Sequence, residues 1–244
     1  MIFQMKKNNF YEKYSSNHKK NVLNEIDIEF FKGKVPRYNK QFKKILPKDT
    51  KSKILELGCG NGSLVWWLNS IGYSNVNGID ISEEQVEIGK NLGLDNIHCG
   101  DAFNYLNERS NYFNVIFALD FLEHFNKEEI TTLLSLCHNS LTADGLIVVQ
   151  VPNAESPFFG RIRYGDFTHE IAFTASSLKQ LFLQYRFKEL DFMPYEPIST
   201  NLKSFIRLMT WRFLSLAYSF FITVEMGSTK KRIVTQNIIC FAKK

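Results

Sequence analysis

Short apolar runs and amphipathic segments alternate through most of this chain. Residues 54–57 are apolar apart from Glu56, and three glycines at alternate positions follow, Gly58, Gly60 and Gly62. Residues 63–71 then take helical spacing, which predicts strand, tight turn and helix. Residues 75–80 read as a second strand ending in an acid, and Ser82 caps a helix with Glu83, Glu84 and Gln85 in its first turn. Residues 96–102 hold a third strand. Residues 113–120 hold a fourth, apolar enough to be buried on both faces. Residues 141–152 give a turn and a fifth strand, 176–185 a helix capped by Thr174, and 188–195 and 233–241 two last strands. Residues 10–48 are helical in part and end at Pro47. Such alternation predicts an α/β domain with a mostly parallel sheet and helices on both faces.

The glycine turn carries the first chemistry. Without a Cβ, glycine lets a ligand approach the backbone closely. The spacing differs from the dinucleotide fingerprint G-x-G-x-x-G, although a turn of this kind alone also suits a dinucleotide loop or a plain structural turn. Glu56 stands at the strand end beside it, and a carboxylate there suits a cationic ligand. Asp80 falls about 20 residues beyond the turn, where an acid can accept hydrogen bonds from ribose hydroxyls. Glu56, Asp80, Asp101 and Asp120 all close predicted strands, and ligands of such sheets bind beyond the carboxyl ends of the strands. Four acids at four such ends point to one shared site.

The run Glu56-Leu57-Gly58-Cys59-Gly60-Asn61-Gly62 resembles the first motif of class I S-adenosylmethionine (SAM) methyltransferases. The resemblance covers four elements in order over residues 53–153. It implies a Rossmann-like, seven-stranded, mostly parallel sheet whose final strand runs antiparallel, and methyl transfer as the activity. It implies cofactor contacts from Glu56, Gly58, Cys59, Gly60, Asp80, Ile81, Asp101, Ala102 and Leu119, with Asp101 accepting the adenine amino group. Residues 51–244 would form the methyltransferase domain and residues 1–50 a helical cap over the cofactor, with Tyr11, Tyr14, His18 and Tyr38 as lid or substrate contacts.

A hydroxyl acceptor must lose a proton, through a general base or a metal that lowers its pKa. Histidine titrates near neutral pH and suits the task. His169 is the first choice of base; His124, beside Glu123, is the second. Residues 154–173, aromatic, basic and rich in turn formers, read as a substrate loop. Arg161 and Arg163 could grip a diphosphate or carboxylate there, Tyr164 and Phe167 could stack on a ring, and Asn153 opens the loop. Gly165-Asp166-Phe167-Thr168-His169-Glu170 resembles a subgroup of bacterial methyltransferases found in gene sets for capsule and O-antigen sugars. That resemblance implies a sugar hydroxyl as acceptor, on a nucleotide-linked sugar. Asp120, Glu123, His124 and His169 also resemble the divalent-metal set of small-RNA 2′-O-methyltransferases, with Asp in place of the first Glu. Rival acceptors are a small lipophilic or quinone-like molecule and a carboxylate. A binding subunit without activity is the rival of another class.

Composition changes this picture little. The chain has 244 residues, 44% hydrophobic, with a formal net charge of +5, enough for one large-cored α/β domain. Its lysines are scattered, with no basic-aromatic stripe, so no nucleic-acid partner is expected. Cys59, Cys99, Cys137 and Cys240 form no CxxC pair or ladder, which predicts a reducing, cytoplasmic setting. Residues 1–9 lack the apolar core of a signal peptide. Residues 204–224 are nearly long enough to span a bilayer, yet contain Arg207 and Arg212 and lie between two strands of one sheet. They are expected within a 198–232 insertion, as a helix packed on the domain or in a homodimer, or as a peripheral contact with the inner membrane.

Overall fold

The computed structural model describes residues 26–227 and 232–244. Tyr11, Tyr14 and His18, three of the expected lid contacts, lie outside the described residues.

Helix α1 (Ile28–Gln41) leads into β1 (Ile54–Leu57), α2 (Ser63–Ser70), β2 (Val76–Asp80), α3 (Glu83–Asn91) and β3 (Ile97–Cys99). Then come α4 (Ala102–Asn107), β4 (Phe113–Leu119), a 3-10 turn (Leu122–His124), α5 (Lys127–Ser140) and β5 (Leu141–Pro152). The C-terminal part holds α6 (Phe159–Arg163), α7 (Ala175–Gln184), β6 (Lys188–Pro194), α8 (Leu202–Met226) and β7 (Asn237–Lys243). Side chains stop and start these helices as their chemistry dictates. Asp27, Ser82, Asp101, Asn126, Thr174 and Asn201 each accept a hydrogen bond from a first-turn amide, satisfying donors the helix leaves open.

The seven strands run in the order β3-β2-β1-β4-β5-β7-β6. All neighbours pair in parallel except β7, which is antiparallel to both β5 and β6. This is the Rossmann-like methyltransferase fold expected from the sequence. Two local expectations shift. The predicted turn at 141–145 belongs to β5, with a register break between Phe113 and Val115 on its partner and Asp144 at positive φ. Such an irregularity absorbs turn-forming residues without ending the strand. The last strand begins at Asn237 rather than Ile233.

Each central strand feeds two cores. Ile116 and Ala118 of β4 join a cluster with α5 and α7, whereas Val115 and Phe117 join one with α1 and α2. Side chains alternate across a strand with period two. The same alternation places Glu56 beside Ile54, and Gln150 beside Val148, on the α1 face. Both polar residues are thus directed to the layer that α1 covers. Phe31 and Tyr38 of α1, and Phe42 just after it, pack there with Trp67, which donates its indole N–H to Asn39.

Close packing also fixes the glycine turn. A Cβ on Gly89 of α3 would lie 2.4 Å from Ile97 Cδ1 and 2.5 Å from the Asn61 carbonyl oxygen. Gly33 of α1 has open space around it. Gly89→Ala is expected to destabilise the chain by about 1–3 kcal/mol. Gly33→Ala should instead raise stability by up to ~1 kcal/mol. Urea midpoints of the two variants check this; equal midpoints would refute the packing described.

Candidate active site

The turn after β1 is held from the side. Gly58, Gly60 and Gly62 have φ of 66°, 52° and 79°, the left-handed region that glycine tolerates. A Cβ on Gly58 would lie 2.4 Å from the Phe121 ring. The Gly60 amide donates to Asp80 Oδ2 at 2.7 Å, and the Ser82 amide to Asp80 Oδ1 at 2.8 Å. Asp80 therefore clamps the glycine turn to the end of β2. Burial raises its pKa, and these amides partly offset the rise. Cys59 fills space rather than reacts: its Sγ sits 2.8 Å from where a Gly78 Cβ would stand, and burial pushes its thiol pKa well up.

Between this turn, the end of β4 and α1 lies a cavity of about 780 Å³, a size that takes a small-molecule ligand. Glu56, Gly58, Cys59, Gly60 and Leu119, five of the residues expected to contact the cofactor, line it together with Tyr38. Glu56 is 5% exposed, and its Oε2 has no hydrogen-bond partner. Burial raises its pKa well above the usual value, opposed by the charge of Lys34. Lys34 donates to Ser63 Oγ at 2.9 Å, and the Tyr38 and Ser63 hydroxyls are also 2.9 Å apart. A buried carboxylate with one unpartnered oxygen beneath a glycine turn fits the ammonium and sulfonium of SAM, because a cation would relieve the cost of its desolvation.

The far wall comes from distant parts of the chain. Arg37 stacks over the Tyr195 ring at 3.9 Å and donates to the Glu196 carbonyl. The Glu196 carboxylate pairs with Lys40 at 3.6 Å and Arg212 at 3.0 Å. Burial works against its charge, but the two cations hold its pKa below the usual value. Lys203 and Arg207, from the start of α8, complete a cationic rim. Asp120 closes the wall at the end of β4 with φ of 52°, a conformation unusual outside glycine. Its carboxylate accepts from Gln150 Nε2 and Asn237 Nδ2, both at 2.8 Å.

Other expected site residues lie elsewhere. Asp101 caps α4 beside the edge strand β3, accepting from Asn104, and the adjoining Ala102 is buried; neither lines the cavity. Ile81 is exposed just past β2. Asn153 is fully buried, its amide donating to the Ile233 and Thr235 carbonyls. It joins strand ends and exposes no surface. Arg163 donates to the His169 and Glu170 carbonyls and so braces the loop. Arg161, Tyr164 and Phe167 are exposed, and none lines the cavity.

His124 and His169 form a separate cluster beside the cavity, ring centroids 4.9 Å apart. His124 Nδ1 bonds the Thr168 hydroxyl at 2.8 Å; His169 Nδ1 bonds the Ile162 carbonyl at 3.0 Å. Glu123 is 1% exposed, and its backbone carbonyl accepts from the Glu170 amide at 2.7 Å. Burial raises the Glu123 pKa well above its usual value. Burial, reinforced by His169, lowers that of His124 to about 4. Of the four residues expected around a metal, Glu123, His124 and His169 bring ligand atoms within 4.8 Å of one another. Asp120 does not join them, because two amides hold its carboxylate in the cavity wall.

The fold and the glycine turn define an α/β protein built to hold SAM. Comparison with known proteins agrees. A methyltransferase-domain family matches residues 31–190, and the chain belongs to that family. It is a SAM-dependent methyltransferase. A SAM-dependent methyltransferase from Archaeoglobus fulgidus superposes with TM-score 0.65 at 23% identity, covering 88% of this chain and 97% of that one. One from Mesorhizobium loti gives 0.60 at 14%, covering 88% and 100%. The Haemonchus contortus phosphoethanolamine N-methyltransferase 2, solved with SAM, gives 0.59 at 15%, covering 85% of this chain and 52% of its own. No curated protein matches in sequence.

Lys34, Arg37, Gln41, Gln150, Tyr195, Lys203 and Arg207 escaped the sequence reading. One local signal was present: Lys34, Arg37, Tyr38 and Gln41 stand at i, i+3, i+4 and i+7, one face of a helix. Nothing local marks the others.

Asp80→Ala removes the clamp on the glycine turn. SAM affinity should fall at least about tenfold, ~1.4 kcal/mol, in titration calorimetry; unchanged affinity would refute the clamp. His124 supplies a pH test. Its folded pKa is depressed, so its stabilising contribution is complete above about 6.5 and is lost as pH falls to about 4. Wild-type stability relative to His124→Asn should therefore drop between those pH values. A difference that stays flat in chemical denaturation would place the imidazole in solvent.

Proposed function

We propose that this methyltransferase acts on a hydroxyl of a phosphate-bearing sugar, in the first instance a nucleotide-linked sugar destined for a surface polysaccharide. The observation that supports this is the cavity wall. It sets Lys34, Arg37, Lys203 and Arg207 beside the amides of Gln41, Gln150 and Asn201. Guanidinium and ammonium groups pair with phosphate oxygens, and amides both donate to and accept from hydroxyls. Tyr38 and Tyr195 add two rings to the wall. Helix α1 acts as a cap in this reading, since it already forms one side of the cavity.

Bound SAM supplies an activated methyl group and a good leaving group. The rest of the work is positional. Glu56 meets the positive charge of the cofactor, Asp80 keeps the glycine turn in shape, and α1 excludes water. We assign proton acceptance to Asp120 rather than His169. Its carboxylate is in the wall, oriented by Gln150 and Asn237, and its left-handed backbone is the kind of strain that collects at functional positions. His124 and His169 become positioning residues that tie residues 164–170 to the turn after β4. Glu123, His124 and His169 would supply two nitrogens and an oxygen to a divalent ion, and no step here depends on one.

Mass spectrometry of purified protein with SAM and a panel of nucleotide-sugars tests this. The expected result is one sugar gaining a methylene's mass. Arg37→Ala should raise KM for that sugar by about tenfold, ~1.4 kcal/mol. Asp120→Asn should lower kcat by roughly 10²–10⁴. No product across the panel, with SAM still bound, would overturn the acceptor.

A further inference from the structure

Helix α8 is turned inside out relative to an ordinary surface helix. Of its 25 residues only Ser204 and Leu208 are buried. Trp211, Ser215 and Ile222 continue that inner line, half-buried against the domain. The opposite line, Phe205, Met209, Phe213, Leu216, Phe220 and Val224, is wholly apolar and exposed, with Phe213 at 71% and Leu216 at 72%. These residues recur at helical spacing along one face. The helix is apolar and long enough to cross a bilayer, and only 6% of its most apolar window is buried. It is therefore not a core helix.

Its attachment excludes a span. Pro194 of β6 is registered with Ile238 of β7, so the chain leaves and re-enters the same sheet at one end. Arg212, midway along, binds Glu196, and Arg232 joins Met226 at the helix end to Glu155. The helix, about 37 Å long at 1.5 Å per residue, lies along the domain with its apolar face outward.

We propose that α8 docks this face on the surface of an anionic lipid bilayer. Charge selects this occupant over a second copy of the chain. Lys203 and Arg207 border the stripe, Arg212 is held by Glu196, and the helix carries no acid before Glu225. An identical helix offers these cations no complement, whereas anionic headgroups do. Long basic side chains reach the headgroups while the neighbouring apolar residues enter the acyl boundary. Lys203 and Arg207 also line the cavity, so docking sets the cavity mouth at headgroup level. The docking does not rest on the acceptor class proposed above.

Cosedimentation of the full chain with vesicles tests it, using phosphatidylcholine alone and phosphatidylcholine containing 30% phosphatidylglycerol (about 30% suffices to charge the surface). Binding is expected on the anionic vesicles and should weaken in high salt. The double variant Phe213→Glu/Phe220→Glu should lose at least about tenfold in partitioning while keeping its SAM affinity, which shows that it folds. No binding to either vesicle, or equal binding to both, overturns the proposal. A dimer in sedimentation velocity that the double variant dissolves, without vesicle binding, would assign the face to a second copy instead. Because no acceptor is present in these measurements, failure of the sugar reading leaves them untouched.

Discussion

A carboxylate buried at the end of a central strand organises this molecule. Glu56 occupies a position that strand alternation turns toward α1, in a layer otherwise built from Ile54, Val115, Phe117 and Val148. Removing such a group from water costs several kcal/mol unless a cation or donor meets it. Lys34 supplies part of that compensation from across the layer. The remaining oxygen has no partner, so the fold holds a site whose chemistry is set before any ligand arrives. The glycine turn above it keeps backbone atoms out of the way, and Asp80 keeps the turn in place.

Around that centre the chain divides its labour by element. The parallel strands β1, β2 and β4 deliver the side that holds the glycine turn, at the carboxyl ends where open α/β sheets bind ligands. The opposite wall comes from α1, from residues just after β6 and from the start of α8. Glu196 joins them, pairing with Lys40 of α1 and Arg212 of α8. One anion thus links α1, the sheet edge and the apolar helix. The histidine cluster stands apart, its Nδ1 atoms committed to Thr168 and Ile162. It shapes the loop after β5 and contributes no surface to the cavity.

The two halves of the site differed in how far they could be read from the residues. Glu56, Gly58 and Gly60 were legible because a strand, a turn and a helix start are local events, fixed by a few neighbouring residues. The place of Asp80 was legible because one βαβ unit sets its distance from the turn, but not that its oxygens accept the Gly60 and Ser82 amides. Asn153 and Arg163 were not legible for the converse reason. Their types suit a substrate loop, yet a buried amide and a guanidinium satisfy backbone carbonyls equally well, and only the packed strand ends and the folded loop show which demand is met. His169 has chemistry that suits a base, but only the tertiary structure shows that it stands outside the cavity wall.

By itself the sequence determined the alternating α/β order, the glycine turn, the acids at the strand ends and the apolar stretch between the last two strands. Each depends on periodicity or spacing within about one supersecondary unit. Tertiary structure alone decided which of those acids share a cavity, that Arg37, Lys203 and Arg207 face it together, and that the apolar stripe of α8 points outward. Those facts depend on contacts between residues up to 159 positions apart, as with Arg37 and Glu196. No local pattern encodes such distances, because the pairing arises only when the sheet has closed and its two faces have been covered.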